Sequence, residues 1–247
     1  MKLKETSNLK TQISNLKSQT SNLKSYPLQL YDQLLQFPLF QGMSRDDLEQ
    51  VAGFTKFSFV KLSAGKCVAA EDTPCRQLLL LLSGSLTVET RSDDHGYSVI
   101  EQLSAPYSLQ PEALFGYHQR YTHTFTAQTP VSLIALDKSE VVRLTEEFLV
   151  FRLNVLNIFT TLAQKGRRQP WRSVPMSLRQ RIVRFFTQHV LLPAGPKEFR
   201  ILMTRLAGEL NDSRLDVSRA LNEMQADGLI VLHRGRIEIP QMERLAM

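Results

Sequence analysis

The stretch LAGELNDSRLDVSRALNEMQADGLIVLHRGRIEI (206–239) decides how this chain is read. Asn211, Asp212 and Ser213 form a polar break between two helix-like runs, and two β-rich runs follow around Arg234-Gly235. Asparagine tolerates the left-handed conformation that closes a helix, and Asp212 or Ser213 can cap the next one. On a helix advancing about 100° per residue, Val217, Ala220, Leu221 and Met224 share one compact apolar face. Arg214, Leu215, Ser218, Arg219 and Asn222 share the opposite arc. Arginine bonds a guanine edge with two donors or grips a phosphate. Leucine is odd on a solvated face but suits the methyl group of thymine. Arg214, Leu215, Ser218 and Arg219, with Ser213 at the cap and Arg234 at the hairpin tip, are therefore the candidate DNA-binding residues.

Working outward, SLRQRIVRFFTQHVLL (177–192) is amphipathic and is stopped by PAGP, and FRILMTRL leads into the opening stretch. The order helix, helix, turn, helix, β-hairpin is that of a winged helix-turn-helix, expected over 169–247. Ala207 supplies the small residue that close helix packing requires. The charge agrees. Residues 1–164 hold 15 Lys/Arg against 16 Asp/Glu, whereas residues 165–247 hold 15 against 8. All of the net charge of +6 thus lies in the last third, the footprint of a module that binds a polyanion.

Upstream, short β-rich runs (FSFVKL, CVAA, LLLLLSGSLTVET, YSVIEQL, HTFTA, VSLIAL) recur between turn signals from 57 to 137. Such spacing predicts an antiparallel roll, here a cupin-like jelly roll within a sensor domain at 28–137. In LLQFPLFQGMSRDDLEQV (34–51), Ser44 with Asp47 opens a helix. A long helix follows over roughly 138–166, in a segment drawn to 168. Val141, Leu144, Phe148, Phe151, Val155, Ile158 and Leu162 repeat with a 3-4 alternation, which predicts a coiled-coil seam. The expected dimer interface is Phe148, Phe151, Val155, Ile158 and Leu162, with Leu149, Leu156 and Phe159 packing back on the roll. Residues 1–27, with SNLK repeated at seven-residue spacing, read as a disordered tail. GRRQPWRSVP (166–175) reads as a linker. The fold class is α+β.

Other classes find little support. No apolar run reaches the length of a membrane helix, and MKLKETSNLK is not followed by a secretory core. Cys67 and Cys75 are too few for a disulfide scaffold or iron–sulfur cluster and read as small buried residues. His118 and His123 lack metal-ligand spacing, so no metal is expected. Trp171, Phe185 and Phe186 read as packing groups. No nucleophile constellation or phosphate loop suggests an enzyme. The location expected is the cytoplasm.

These segments resemble the CRP/FNR family of bacterial transcription regulators over about residues 30–240. FPLFQGMSRDDLEQV (37–51) is similar to the family's opening helix, LLSGSLTV (81–88) to its β-roll signature, and LAGELNDSRLDVSRALNEMQADGLI (206–230) to its helix-turn-helix. The resemblance implies a homodimer on a palindromic double-stranded operator, with RNA polymerase and a small-molecule effector as further partners. It implies base contacts by Arg214, Leu215 and Arg219. The family commonly has glutamate where Leu215 stands, so a changed operator preference is implied. The family's cyclic-nucleotide cassette pairs Gly-Glu for ribose with Arg-Ser/Thr for phosphate. Aligned on ALF (113–115), those positions hold Gln110-Pro111 and Tyr121-Thr122, with Glu112 and Arg120 one residue away. Gln110, Glu112, Arg120, Tyr121 and Thr122 are the candidate effector residues. Proline removes a donor that a cyclic phosphate needs, so the cassette argues against cAMP and leaves the effector unknown, with no cofactor expected. A different reading is a ligand- or protein-binding signalling module with weak DNA affinity.

Overall fold

The structure is a computed structural model that describes residues 30–168, 171, 173 and 175–245. The tail expected over 1–27 lies outside the described residues, as does part of the 166–175 linker.

Eight short strands carry the β-rich segment: β1 (Phe57–Leu62), β2 (Cys67–Ala69), β3 (Gln77–Ser83), β4 (Ser85–Arg91), β5 (Ser98–Ser104), β6 (Tyr107–Leu109), β7 (His123–Ala127) and β8 (Val131–Asp137). In β7 alternating side chains bury one face, with His123, Phe125 and Ala127 turned inward. Four strands form a sheet in the order β1-β8-β3-β6. The other strands, β2, β7, β4 and β5, belong to a second, seven-stranded sheet that the C-terminal strands complete. The Ser83-Gly84 turn joins β3 to β4 with Gly84 at φ 89°, and a Cβ there would meet the Pro130 carbonyl at 2.5 Å. Only glycine fits.

Contacts divide the described chain into two compact units. The first groups residues 30–58 with 136–162, and the second groups residues 59–135 with 163–245. In the first unit, α1 (Arg45–Phe54) is capped by Ser44, whose hydroxyl accepts from the Asp47 N–H at 3.1 Å.

The expected long helix is two helices, α2 (Lys138–Glu147) and α3 (Leu149–Arg168), interrupted at Phe148 in an extended conformation. Over its first half the apolar stripes are the reverse of those expected from the sequence. Phe148, Phe151 and Val155 are buried within the unit, with Phe151 fully enclosed and its ring 5.2 Å from that of Phe40. Leu149, Leu153 and Leu156 are instead 58%, 48% and 51% exposed, and the expected seam residue Leu162 is 42% exposed. Asn154 fixes this orientation by donating to the carbonyls of Leu39 and Gln41 at 3.1 and 2.8 Å. Two of the five expected seam residues, Ile158 and Leu162, remain accessible.

The C-terminal elements are α4 (Leu178–Gln188), β9 (Lys197–Arg200), α5 (Met203–Leu210), α6 (Arg214–Ala226), β10 (Val231–His233), β11 (Arg236–Ile239) and α7 (Met242–Leu245). Ser177 caps α4 in a reciprocal box with Gln180. Ile182, Phe186, Phe199, Leu206, Val217, Leu221 and Met224 form the shared core, with Phe185 among them. Two other expectations are corrected. Cys67 is exposed while Cys75 is buried, because Cys67 points outward from the short β2 strand. Trp171 is 89% exposed and packs into no core.

Candidate nucleic-acid interface

The turn between α5 and α6 is built by backbone chemistry that the sequence announces. Asn211 closes α5 at φ 50°, ψ 53° in the left-handed region. The Ser213 hydroxyl accepts from the Asp216 N–H at 3.1 Å and donates to the Asp216 carboxylate at 2.6 Å. Ser213 is thus the cap of α6. Arg181 of α4 was not singled out from the sequence, yet it holds this turn. It donates to the Leu210 carbonyl at 2.8 Å and pairs with the Asp212 carboxylate. Only the tertiary packing of α4 on α5 and α6 brings it there.

Along α6 the expected division of faces is present. Val217, Ala220, Leu221 and Met224 are buried. Arg214, Leu215 and Arg219 are exposed, with Leu215 at 69%, and Ser218 is half-buried between them. Asp216 holds Arg219 at 3.3 Å, and Asn222 donates back to the Ser218 carbonyl at 2.9 Å. The β10–β11 hairpin pairs His233 with Arg236 around Arg234-Gly235, and Gly235 takes φ 71°. A cleft of about 390 Å³ lies between the start of α5 and this hairpin. Its walls bring Arg214 of α6 and Arg234 of the hairpin together with Leu202, Thr204 and His233. Leu202 is 63% exposed and went unremarked in the sequence, where it reads as the interior of FRILM.

The cassette residues take separate roles. Gln110, buried in a left-handed conformation at φ 36°, closes onto Thr122. Its amide nitrogen donates to the Thr122 hydroxyl at 2.7 Å and its oxygen accepts from the Thr122 N–H at 3.0 Å. Tyr121 is buried against Phe125, and burial pushes its phenol far above the ordinary range. Arg120 is exposed and lies on Asp72 at 3.4 Å. Glu112 is exposed on the helical turn Pro111–Leu114.

His123 is a buried core histidine whose Nδ1 meets the Thr90 hydroxyl at 2.8 Å. Desolvation lowers its pKa from 6.5 to about 4. The unfolded chain therefore takes up this proton first as the pH falls. His123 favours the folded state above about pH 6.5, and up to about 3 kcal/mol is lost as the pH drops toward 4. Denaturant midpoints at pH 7 and pH 5 check this: a His123→Gln variant should show a shallower loss than the natural chain. Among the described residues no group of three or more His, Cys, Asp or Glu is placed to hold a metal ion.

Comparison with known proteins agrees with both halves of this architecture. Residues 59–148 match the family described as the cyclic nucleotide-binding domain, and residues 180–247 match the Crp-like helix-turn-helix domain. The chain belongs to the CRP/FNR family. Members of this family are transcription regulators that bind DNA through the helix-turn-helix. No curated protein matches the chain in sequence. Solved structures with similar folds include the catabolite activator protein of Thermus thermophilus, at 18% identity over 85% of this chain and 97% of that one, with a TM-score of 0.48. DNR from Pseudomonas aeruginosa is 21% identical over 87% of this chain and 95% of its own, with a TM-score of 0.42. The c-di-GMP responsive regulator CLP of Xanthomonas campestris is 16% identical over 74% and 94%, with a TM-score of 0.41. No helix among the described residues is long and apolar enough to cross a membrane.

Proposed function

We propose that this CRP/FNR protein acts as a homodimer on a two-fold symmetric operator. In this reading α6 enters the major groove of each half-site and the Arg234 hairpin rests beside it. The carrying observation is the outward arc of Arg214, Leu215 and Arg219, set opposite a buried apolar face and beside a cleft shared with Arg234. A dimer of this kind reads half-sites about 34–36 Å apart. Leu215, apolar and 69% exposed, supports a contact with a thymine methyl where a carboxylate would accept from cytosine. The exposed leucines of α3 supply the dimer seam. The effector differs from cAMP, because Gln110 and Thr122 satisfy one another and Pro111 offers no N–H.

The test is selection of duplex DNA from a randomised pool by the purified protein at low salt. A symmetric consensus is the expected result, and failure to enrich any sequence would overturn the proposal. With that consensus in hand, Arg214→Ala should cost about 1–3 kcal/mol and relax preference at one position per half-site. A uniform loss across sequences would reassign Arg214 to a phosphate.

A further inference from the structure

The winged helix-turn-helix does not complete its own core. Val99 of β5, a strand of the β-roll, is 2% exposed and lies in the same cluster as Ile182, Phe186 and Phe199. The reason is a strand addition. β9 pairs antiparallel with β5, placing Ser98 opposite Arg200, Val99 opposite Phe199, Ile100 opposite Glu198 and Glu101 opposite Lys197. β9 in turn pairs with β11, so the hairpin that flanks α6 continues the β-roll sheet.

Two features distinguish this seam from ordinary packing. The first is a dry ion pair. Glu101 and Lys197 have side chains only 1% exposed, with Nζ 3.2 Å from Oε1. The Glu101 carboxylate also accepts the N–H groups of Leu191 and Leu192 at 2.8 and 3.1 Å, and Lys197 donates to the Ala194 carbonyl at 2.8 Å. Buried pairs add little net stability over an apolar match. On separation, however, both ions regain hydration, which an apolar seam would not. Around this centre the contacts are polar: Arg205 of α5 holds Asp94 of the β4–β5 turn at 2.8 Å, and the Tyr97 hydroxyl meets His189 Nε2 at 3.0 Å.

The second feature is a single cross-strand row. His123 faces Thr90, Thr90 faces Val99, Val99 faces Phe199, and Phe199 faces Ile237. His123 is also in contact with Thr122, which Gln110 holds. One continuous row of opposed residues thus runs from the cassette loop to the core beneath the DNA-flanking hairpin.

We propose that the β5–β9 seam, closed by Glu101 and Lys197, is a separable latch through which the β-roll controls the DNA-reading module. Closed, it holds the module on the sheet. Open, it frees β9 and lets α5 and α6 move apart from β5. Its effect on DNA rests on the proposed operator binding, but the latch itself can be tested without DNA.

Hydrogen exchange on the full chain compares the natural protein with Glu101→Gln. The expected result is exchange about 100-fold faster at residues 197–200 and at Leu191 and Leu192. Pairing of β4 with β7 and the interior of α6 should remain protected. Unchanged exchange at β9 would overturn the latch. Equal acceleration throughout α4 and α6 would overturn it too, since the module would then unfold rather than separate. A second variant avoids disturbing the ion pair: Ile100→Cys with Glu198→Cys, in a Cys67→Ser background, cross-links directly opposed positions within disulfide reach. Oxidised and reduced forms should differ at least about five-fold in affinity for duplexes enriched by the natural protein, and equal affinities would overturn the control of DNA binding. If the natural protein enriches no DNA, operator binding fails, and the exchange result alone decides the latch.

Discussion

Replacing Leu153 and Leu156 together by arginine is expected to convert the protein to a monomer and to weaken operator binding by about 10²–10⁴-fold. The effect is large because two reading heads joined by a seam bind two half-sites as one event, and a lone head forfeits that linkage. The two leucines are 48% and 51% exposed, on the same open face of α3 as Leu149. Arginine there displaces nothing from the chain's own core and leaves the helix intact. Sedimentation at micromolar concentration reads the assembly, and titration of the selected duplex reads the affinity. A variant that stays dimeric would remove α3 as the seam. The matched control is Phe151→Arg. Phe151 is fully enclosed beside Phe40, so this change should unfold the helical unit rather than dissociate a dimer.

That contrast shows where sequence periodicity loses its power. Both faces of the segment 141–162 are apolar at helical spacing, and period alone cannot say which face belongs to the chain's own core. The deciding partners, Leu39 and Phe40, lie more than one hundred positions away. Asn154 carried a usable signal, being a polar residue beside Phe151 and Val155 that needs acceptors; it finds them on Leu39 and Gln41. The helix-turn-helix was legible for the opposite reason. Its turn, cap and two faces are set within a dozen residues by Asn211, Ser213 and the spacing of Val217, Ala220 and Leu221. The β5–β9 pairing was not legible at all. KEFR is a short polar run after PAGP, and nothing local indicates that its lysine will be buried against a glutamate in another strand. The cassette stood between these cases. The departures at Gln110, Pro111 and Tyr121 could be read directly. Their consequences, a mutual closure of Gln110 on Thr122 and an inward-turned phenol, depended on loop geometry.

Phe186→Ala is the second change of large effect, with an expected loss of about 3–5 kcal/mol in stability. Phe186 is fully buried, its ring 4.6 Å from Phe199 and 5.9 Å from Phe185. Truncation leaves a hole at the junction of α4 and β9, walled by rings too rigid to collapse into it. The consequence should not stay within the winged helix. Phe199 faces Val99 across the seam, so loosening β9 removes the cover from a β-roll strand as well. Heating should therefore show one lowered transition, by roughly 10 °C for a chain of this size, with β-roll and helix-turn-helix signals falling together. Calorimetry combined with hydrogen exchange read separately at the β4–β7 pairing and in the interior of α6 offers a check. Arg214→Ala, by contrast, should leave the transition where it is, because that side chain is exposed. If Phe186→Ala lowers only a separate C-terminal transition and leaves the roll's own midpoint fixed, the core shared across β5 and β9 is not cooperative, and the two modules fold as independent bodies.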